Sequence, residues 1–434
     1  MELLRKYLKY TSSTIVGLVG FSLYILADTY FISDKVGADG LTALNLAMPA
    51  FNIMMGFVML FAVGSATRYN IVKQTHPEHA NEPIKAGLLS GYGVMALFMI
   101  VGIFFIEPLT VVLGADEHIK PLVIQYLRVL LIFAPMFLTE HFLVSVTRND
   151  GAPKRAMAAM IVASLSNVVL DYVLVYPMNL GIFGAALATG VSPVIATIIC
   201  LARKKGYSLK VKIDFSHLKG ILRTGFSSLV GEWSGCVVMF TMNMLILGNA
   251  GNVGVAAYGV VANIAYVMTA VFNGVAQGAQ PLASEAYARN RRDDYKKIIR
   301  YGMITSLIIN VVVYLLLYTK TTAIVNIFNS EHNEQLAVLA EEGLRLYFTG
   351  YFFAGINIYM ISVYSASEQV RKSAALSVIR GIVAIVVFAI VLSHFMGMKG
   401  IWITMCMAEL FTLVILILWN MIQSIKLKNN GEKQ

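Results

Sequence analysis

Long apolar runs alternate along this chain with short polar breaks. The runs fall at 11–33, 42–67, 86–106, 122–147, 156–178, 181–202, 221–248, 254–282, 298–318, 343–366, 374–394 and 400–424. At a helical rise of 1.5 Å per residue, most can cross a hydrocarbon core of about 30 Å. Barrel strands would instead alternate apolar and polar positions over about ten residues. The pattern therefore predicts an all-α polytopic membrane protein with twelve transmembrane helices, numbered here as spans 1 to 12. The first run has no small-residue cleavage site behind it, so it reads as a span rather than a signal peptide.

The pattern also repeats. Shifted by 214 positions, residues 13–64 fall on 227–278 without a gap. Ser13, Val16, Gly17, Ile32, Gly37, Gly40, Ala43, Met54, Ala62 and Gly64 then meet the same residue types. The match continues more weakly at slightly larger shifts, with Leu127-Arg128 on Leu344-Arg345 at 217 and Gly181/Gly184 on Gly397/Gly400 at 216. Six spans per half is an even number, so both halves enter the membrane from the same side. The repeat is parallel, with a pseudo-twofold axis along the membrane normal and a cavity between the lobes. The division predicted is an N-terminal six-helix lobe (1–202), a cytoplasmic inter-lobe loop (203–220), a C-terminal six-helix lobe (221–424) and a cytoplasmic tail (425–434). The repeated glycines of the turns Gly37–Gly40 and Gly251–Gly254 suit tight turns and close helix contact. Pro135 and Pro281 lie inside spans and are expected to kink them or free carbonyls.

Composition agrees with a membrane chain. Hydrophobic residues make up 58% and charged residues 13%, against about a quarter charged in soluble proteins. The net charge of +10 could suggest nucleic acid, but its distribution argues for topology instead. Of 34 Lys and Arg, 27 lie in the segments 1–10, 68–86, 148–156, 203–223, 285–300, 368–373 and 425–434, and only Lys35, Lys120, Lys320 and Lys399 lie in the opposite loops. By the positive-inside rule both termini are cytoplasmic. The basic clusters are read as topology signals in contact with membrane lipids, not as a nucleic-acid surface. Cys200, Cys236 and Cys406 are isolated in apolar runs and read as packing residues. No structural metal site or cofactor is expected. No phosphate-binding loop is present, which argues against ATP as the direct energy source, and no loop motif suggests a membrane enzyme.

The acids inside the spans are the informative residues, because a carboxylate at the bilayer centre costs at least about 2.5–3.5 kcal/mol. Asp28, Glu140, Asp171, Glu232 and Glu409 qualify. The repeat does not duplicate them: Asp28 meets Met242, and Glu232 meets Leu18. Asp28 and Asp171 share a lobe and a depth, roughly 8–10 Å below the outer edge. Tyr24 precedes Asp28 by four residues and Asn167 precedes Asp171 by four, so each pair shares a helix face. Thr189 in span 6 is placed to join them. Carboxylates, an amide and hydroxyls offer the oxygen ligands of a small cation such as Na⁺, and two acids in one dry pocket also suit a proton carrier. Glu232 reads as the second lobe's own functional acid, and Glu409 as structural. Glu140, beside His141, is open between a functional role and a simple encounter with Arg148 or interfacial water.

Several segments carry a family resemblance across essentially the whole chain. They are Ala27-Asp28-Thr29-Tyr30-Phe31 with Val36-Gly37, Arg148-Asn149-Asp150-Gly151-Ala152-Pro153 with Ala156-Met157, Asn167-Val168-Val169-Leu170-Asp171, Gly184-Ala185-Ala186-Leu187-Ala188-Thr189, and Gly278-Ala279-Gln280-Pro281-Leu282. In their order and spacing they resemble the MATE (multidrug and toxic compound extrusion) transporters. The Gly274–Pro281 segment and the acidic span 7 look most like the bacterial MepA-like branch. The resemblance implies two rocking lobes that export organic cations in exchange for H⁺ or Na⁺. It also implies that Asp28, Tyr24, Asn167, Asp171 and Thr189 form a first-lobe cation network, with Glu232 a second-lobe acid for cation or drug. Two departures stand out. Ser13 and Ser227 occupy positions where relatives commonly carry proline, so a bend of span 1 at that position is not expected. Span 10 lacks the acid some relatives place there, leaving Asn357 and Tyr359 as its polar candidates.

The expected function is secondary active efflux of amphiphilic organic cations by antiport, from a monomer in the bacterial inner membrane. The alternative is a flippase for lipid-linked oligosaccharides or lipid precursors of the same superfamily. Such a protein needs cationic groups in its cavity, and only Arg128, Arg345 and Arg380 lie in or near spans.

Overall fold

The computed structural model describes residues 2–202, 206–208, 210–328 and 333–431. Parts of the inter-lobe loop and of the tail predicted from sequence thus lie outside the described residues. In a bilayer every backbone N–H and C=O must be satisfied within its own segment, which leaves the helix as the answer for apolar runs of this length. Spans 1 to 3 are Glu2–Val36, Ala38–Thr75 and Glu82–Phe104. Span 4 is a bent pair, Lys120–Ile132 and Ala134–Asn149, and spans 5 and 6 are Pro153–Val175 and Gly181–Leu201. Spans 7 to 10 are Phe215–Gly251, Val253–Ala288, Arg292–Thr319 and Glu334–Ala366. One further stretch, Val370–Gln423, is turned at Gly397 into spans 11 and 12. The described residues therefore give twelve crossings in a two-lobe fold.

The repeated glycines are the turns between paired helices. Gly37 between spans 1 and 2 has φ +79°, and Gly251 between spans 7 and 8 has φ +62°. Both values lie where only glycine is free of a Cβ clash, so the duplication preserves backbone geometry at these positions. The expected kink at Pro135 is present. Span 4 bends by 48° just before it, because proline has no N–H to offer the carbonyl one turn earlier. Pro281 lies within a helix that runs on to Ala288, and its carbonyl accepts a hydrogen bond from Asn70 Nδ2 at 2.7 Å. Span 1 is continuous through Ser13, as the missing proline implies.

The packing cores do not follow chain order cleanly. One large cluster gathers apolar side chains from spans 7 to 12 but also takes Tyr7 and Tyr10 from the start of span 1. A second, built on spans 1 to 6, takes Ile221, Leu229 and Val230 from the start of span 7. The exchange obeys the repeat. A Cβ on Gly64 of span 2 would lie 2.4 Å from Ile221 O and 3.2 Å from Gly225 Cα of span 7. A Cβ on its repeat partner Gly278, in span 8, would lie 2.7 Å from Thr11 Cα and 2.9 Å from Tyr10 O of span 1. Without a hydrophobic driving force between helices in lipid, such backbone approach is a main source of cohesion.

Polar contacts between the lobes gather toward the basic face, where both termini lie. Lys6 Nζ meets Glu285 Oε2 at 3.1 Å, Arg68 pairs with Glu368, and Arg289 Nε donates to Gln74 at 2.8 Å. Arg148 Nη2 donates to Gln277 Oε1 at 3.0 Å, and Thr224 Oγ1 donates to Gly64 O at 3.2 Å. Nearer the middle, Trp233 Nε1 donates to Ile53 O at 3.3 Å. These contacts hold the lobes together on that side.

Candidate functional site

Helical spacing puts Asn167 and Asp171 on one face of span 5, and the crossing with span 6 sets Thr189 against them. The Asn167 amide lies between the two. In one orientation Nδ2 donates to Thr189 Oγ1 at 3.4 Å. In the other it donates to Asp171 Oδ2 at 3.1 Å while Oδ1 accepts from Thr189 N–H at 3.2 Å, which satisfies both ends. Asp28 of span 1 faces this group closely enough for its charge to act on Asp171. Asp28 is 4% exposed and Asp171 0%. The sequence candidates Asp28, Asn167, Asp171 and Thr189 are therefore brought into one enclosed first-lobe pocket.

The pocket holds one residue that sequence reasoning missed. Tyr126, on the first half of span 4, donates its hydroxyl to Asp28 Oδ2 at 3.2 Å. A signal was available: Tyr126 adjoins the repeated Leu127-Arg128 pair, but its counterpart in the second half is Gly343. An unrepeated polar residue inside a repeated segment has the same signature as the acids themselves. Even with Tyr126, Asp28 Oδ1 and Asp171 Oδ1 have no hydrogen-bond partner among the described residues. Two buried carboxylate oxygens are thus left for a proton or a small cation, and leaving them bare would carry the full desolvation penalty.

Tyr24 links this pocket to the space between the lobes. It lies within electrostatic reach of Asp28 and Asp171 on one side, and of Glu140 and Tyr266 on the other. Phe21 packs edge-on against both Tyr24 (4.9 Å between centroids) and His141 (5.7 Å), which seats the lower half of span 4 against span 1. Glu140 is not met by Arg148, which turns to Gln277 instead. Across the interface Tyr266 of span 8 is also within reach of Glu232, and Glu232 acts on Cys236, whose thiol is in hydrogen-bond reach of Asn52 of span 2. Tyr266 was not singled out from sequence. It stands where the first half has Asn52, so both repeat-related positions face the same central region.

The second lobe treats its other acid differently. Glu409 of span 12 is 1% exposed. Its Oε1 lies 2.7 Å from Arg380 Nε of span 11, and Asn357 Nδ2 of span 10 donates to its Oε2 at 2.7 Å and to its backbone carbonyl at 2.8 Å. Arg380 sits on a π-helical turn, Ile379–Val383, which re-aims that side chain within an otherwise regular helix. Asn357 is therefore part of an ion-pair network that meets both oxygens of Glu409, while Asn357 Oδ1 has no hydrogen-bond partner among the described residues. Tyr359, its companion candidate, is fully buried against Gly302 and donates to Ile298 O at 2.7 Å. Its hydroxyl ties span 10 to span 9 and does not face the central region, so the sequence grouping of Asn357 and Tyr359 with Glu232 is not what the fold produces. Alternation along a helix cannot distinguish a cavity-facing polar residue from one bonded to a neighbouring helix.

Comparison with known proteins gives the same frame. The MatE family model matches residues 14–173 and again 232–391. The multidrug export protein MepA of Staphylococcus saprophyticus is 24% identical over 422 residues, covering 92% of this chain and 91% of that one. MepA of Staphylococcus aureus is 25% identical over 409 residues, covering 91% and 88%. Among solved structures, an outward-facing multidrug resistance MATE family transporter of the MOP superfamily superposes with a TM-score of 0.90 at 22% identity, covering 99% and 98% of the two chains. A mutant of the Vibrio cholerae MATE transporter VcmN gives a TM-score of 0.90 at 18% identity, covering 98% of each. The two family matches fall one on each half of the repeat.

Proposed function

This chain belongs to the MatE family, and from that premise we propose that it exports organic cations in exchange for H⁺ or Na⁺ by alternating access of its two lobes. It works as a monomer in the bacterial inner membrane with both termini cytoplasmic, which makes the basic face the cytoplasmic one. The relatives named as multidrug exporters support small-molecule cargo. The observation that carries the coupling is the first-lobe cluster, where Asp28 lies within electrostatic reach of Asp171 and each leaves a buried oxygen without a partner among the described residues.

In this reading the inter-lobe contacts on the basic face represent the state closed to the cytoplasm. A proton or Na⁺ arriving from outside settles on Asp28 and Asp171, with Tyr126, Asn167 and Thr189 completing the oxygen set. Neutralising the pocket removes the repulsion between its carboxylates and lets span 1 repack. Tyr24 carries that change to the central region, where Glu232 and the ring of Tyr266 hold the cationic cargo. Each net charge moved inward across the field supplies about 2.3 kcal/mol per 100 mV. A flippase for pyrophosphate-linked lipids would need a free cation in the cavity. The one arginine deep in the second lobe, Arg380, is already neutralised by Glu409.

The direct test is efflux of a fluorescent organic cation such as ethidium from proteoliposomes, with pH and Na⁺ gradients imposed separately. Acceleration by one of the two gradients is expected. Transport indifferent to both would exclude antiport.

A further inference from the structure

The basic face, cytoplasmic in this reading, holds a cluster that transport does not use. His79 and Glu82 lie three residues apart at the start of span 3, and Asp214 and His217 three apart where the inter-lobe loop enters span 7. In sequence the two pairs are separated by more than a hundred residues and neither stands out. Folding converges them on one carboxylate. His79 Nδ1 lies 2.8 Å from Glu82 Oε1, and His217 Nε2 lies 3.0 Å from Glu82 Oε2. One ligand atom each from Glu82, Asp214 and His217 falls within 4.8 Å of the other two. The Glu82 and His217 side chains are mostly covered, at 16% and 14% exposure, while Asp214 is exposed. Ser216 orients Asp214 through its N–H (2.8 Å) and hydroxyl (2.7 Å).

We propose that Glu82, Asp214 and His217 form a binding site for a divalent transition-metal ion of the Zn²⁺ class, with His79 orienting Glu82. Mixed imidazole and carboxylate donors suit such ions rather than Ca²⁺ or Mg²⁺, which take oxygen alone. A tetrahedral ion with bonds of about 2.0–2.1 Å needs its ligand atoms roughly 3.4 Å apart. The Glu82–His217 edge is already near that value, and rotation of the exposed Asp214 carboxylate closes the wider one. Each oxygen of Asp214 keeps a second lone pair beyond the bond from Ser216. A carboxylate oxygen can only accept, so His217 Nε2 carries the proton in the present contact. Metal binding there uses the other neutral tautomer, with that proton moved to Nδ1 and the Nε2 lone pair turned to the ion. His79 on the opposite oxygen of Glu82 matches the outer-shell partner that metal-binding carboxylates usually have. Lys85, on the same helix as Glu82, donates instead to Val211 O at 2.6 Å.

The site joins the first lobe to the entry of span 7, directly below the packing of Ile221, Thr224 and Gly225 on span 2. An ion bound there fastens the loop in the cytoplasm-closed arrangement and so restrains export.

The test is titration of the tag-free, full-length, chelator-stripped protein with Zn²⁺ against a chromogenic chelator, which needs no transport activity. One Zn²⁺ per chain with micromolar or tighter affinity is expected, together with a rise in Tm. Glu82→Gln keeps the shape and can still hydrogen-bond to both imidazoles, yet should weaken binding by at least about tenfold, and His79→Ala by less. Absence of binding up to about 1 mM, or equal affinity in wild type and Glu82→Gln, would overturn the site. In proteoliposomes, Zn²⁺ on the cytoplasmic side should slow export by the wild type and not by Glu82→Gln. Equal slowing of both would overturn it as well.

Discussion

Asp171 in span 5 and Glu409 in span 12 are equally sealed from solvent, but only Glu409 has a countercharge. Arg380 lies 2.7 Å from it and Asn357 fills its other oxygen. Asp171 has a second acid, Asp28, within electrostatic reach and the Asn167 amide against one oxygen, and its other oxygen has no partner among the described residues. A buried carboxylate that is fully paired resists any change in its charge, because each alternative leaves Arg380 alone in a low-dielectric interior. One that faces another carboxylate is held in tension and is relieved by the arrival of a positive charge. Under the proposed function, Asp171 belongs to a site that responds to an ion and Glu409 to a fixed ion pair, although both lobes derive from one repeated scaffold.

The sharpest way to break this comparison is Asp28→Asn. We expect export to fall to the background of empty vesicles while the protein still purifies as a folded species. Wild-type exchange in that variant would remove the first lobe from coupling. In the second lobe the expected damage is to stability. Glu409→Gln leaves the partly covered Arg380 without its countercharge, which costs up to about 3–5 kcal/mol, whereas replacing both Arg380 and Glu409 by methionine should recover most of the loss. Denaturant unfolding in mild detergent reads the difference. A silent Glu409→Gln, or a loss of coupling without loss of stability, would make the two lobes functionally alike. The smallest effect is expected at Tyr126→Phe. A hydrogen bond to a charged group contributes about 1.5–3 kcal/mol, so the variant should export at least about tenfold more slowly at limiting ion gradient and approach wild type at a steep one. Indifference to the gradient would place Tyr126 outside the ion pocket.

Much of this was legible in the chain. Apolar run length fixes the twelve crossings, since few other structures satisfy the backbone in lipid. The 214-residue repeat located Gly37 and Gly251, and both prove to be left-handed turns. Span 5 carried Asn167 and Asp171 at a separation of four, and a helix can only put them on one face. What could not be read was which partner meets an acid from another helix. Tyr126 and Asp28 are separated by 98 residues, and no periodicity relates them. Asn357 had the same appearance as a cavity residue until span 12 supplied Glu409.

The sequence by itself determined the membrane fold, the two halves and the set of intramembrane acids, because burial in lipid penalises every exception so heavily that each leaves a mark in composition. The tertiary structure alone decided which acids are neutralised and which are left in tension. It also decided that span 1 helps build the second core and span 7 the first, and that His79, Glu82, Asp214 and His217 converge. Those outcomes depend on helix crossings and side-chain reach over a few ångströms. The one-dimensional pattern carries the period of a helix but not the rotation of one helix against another.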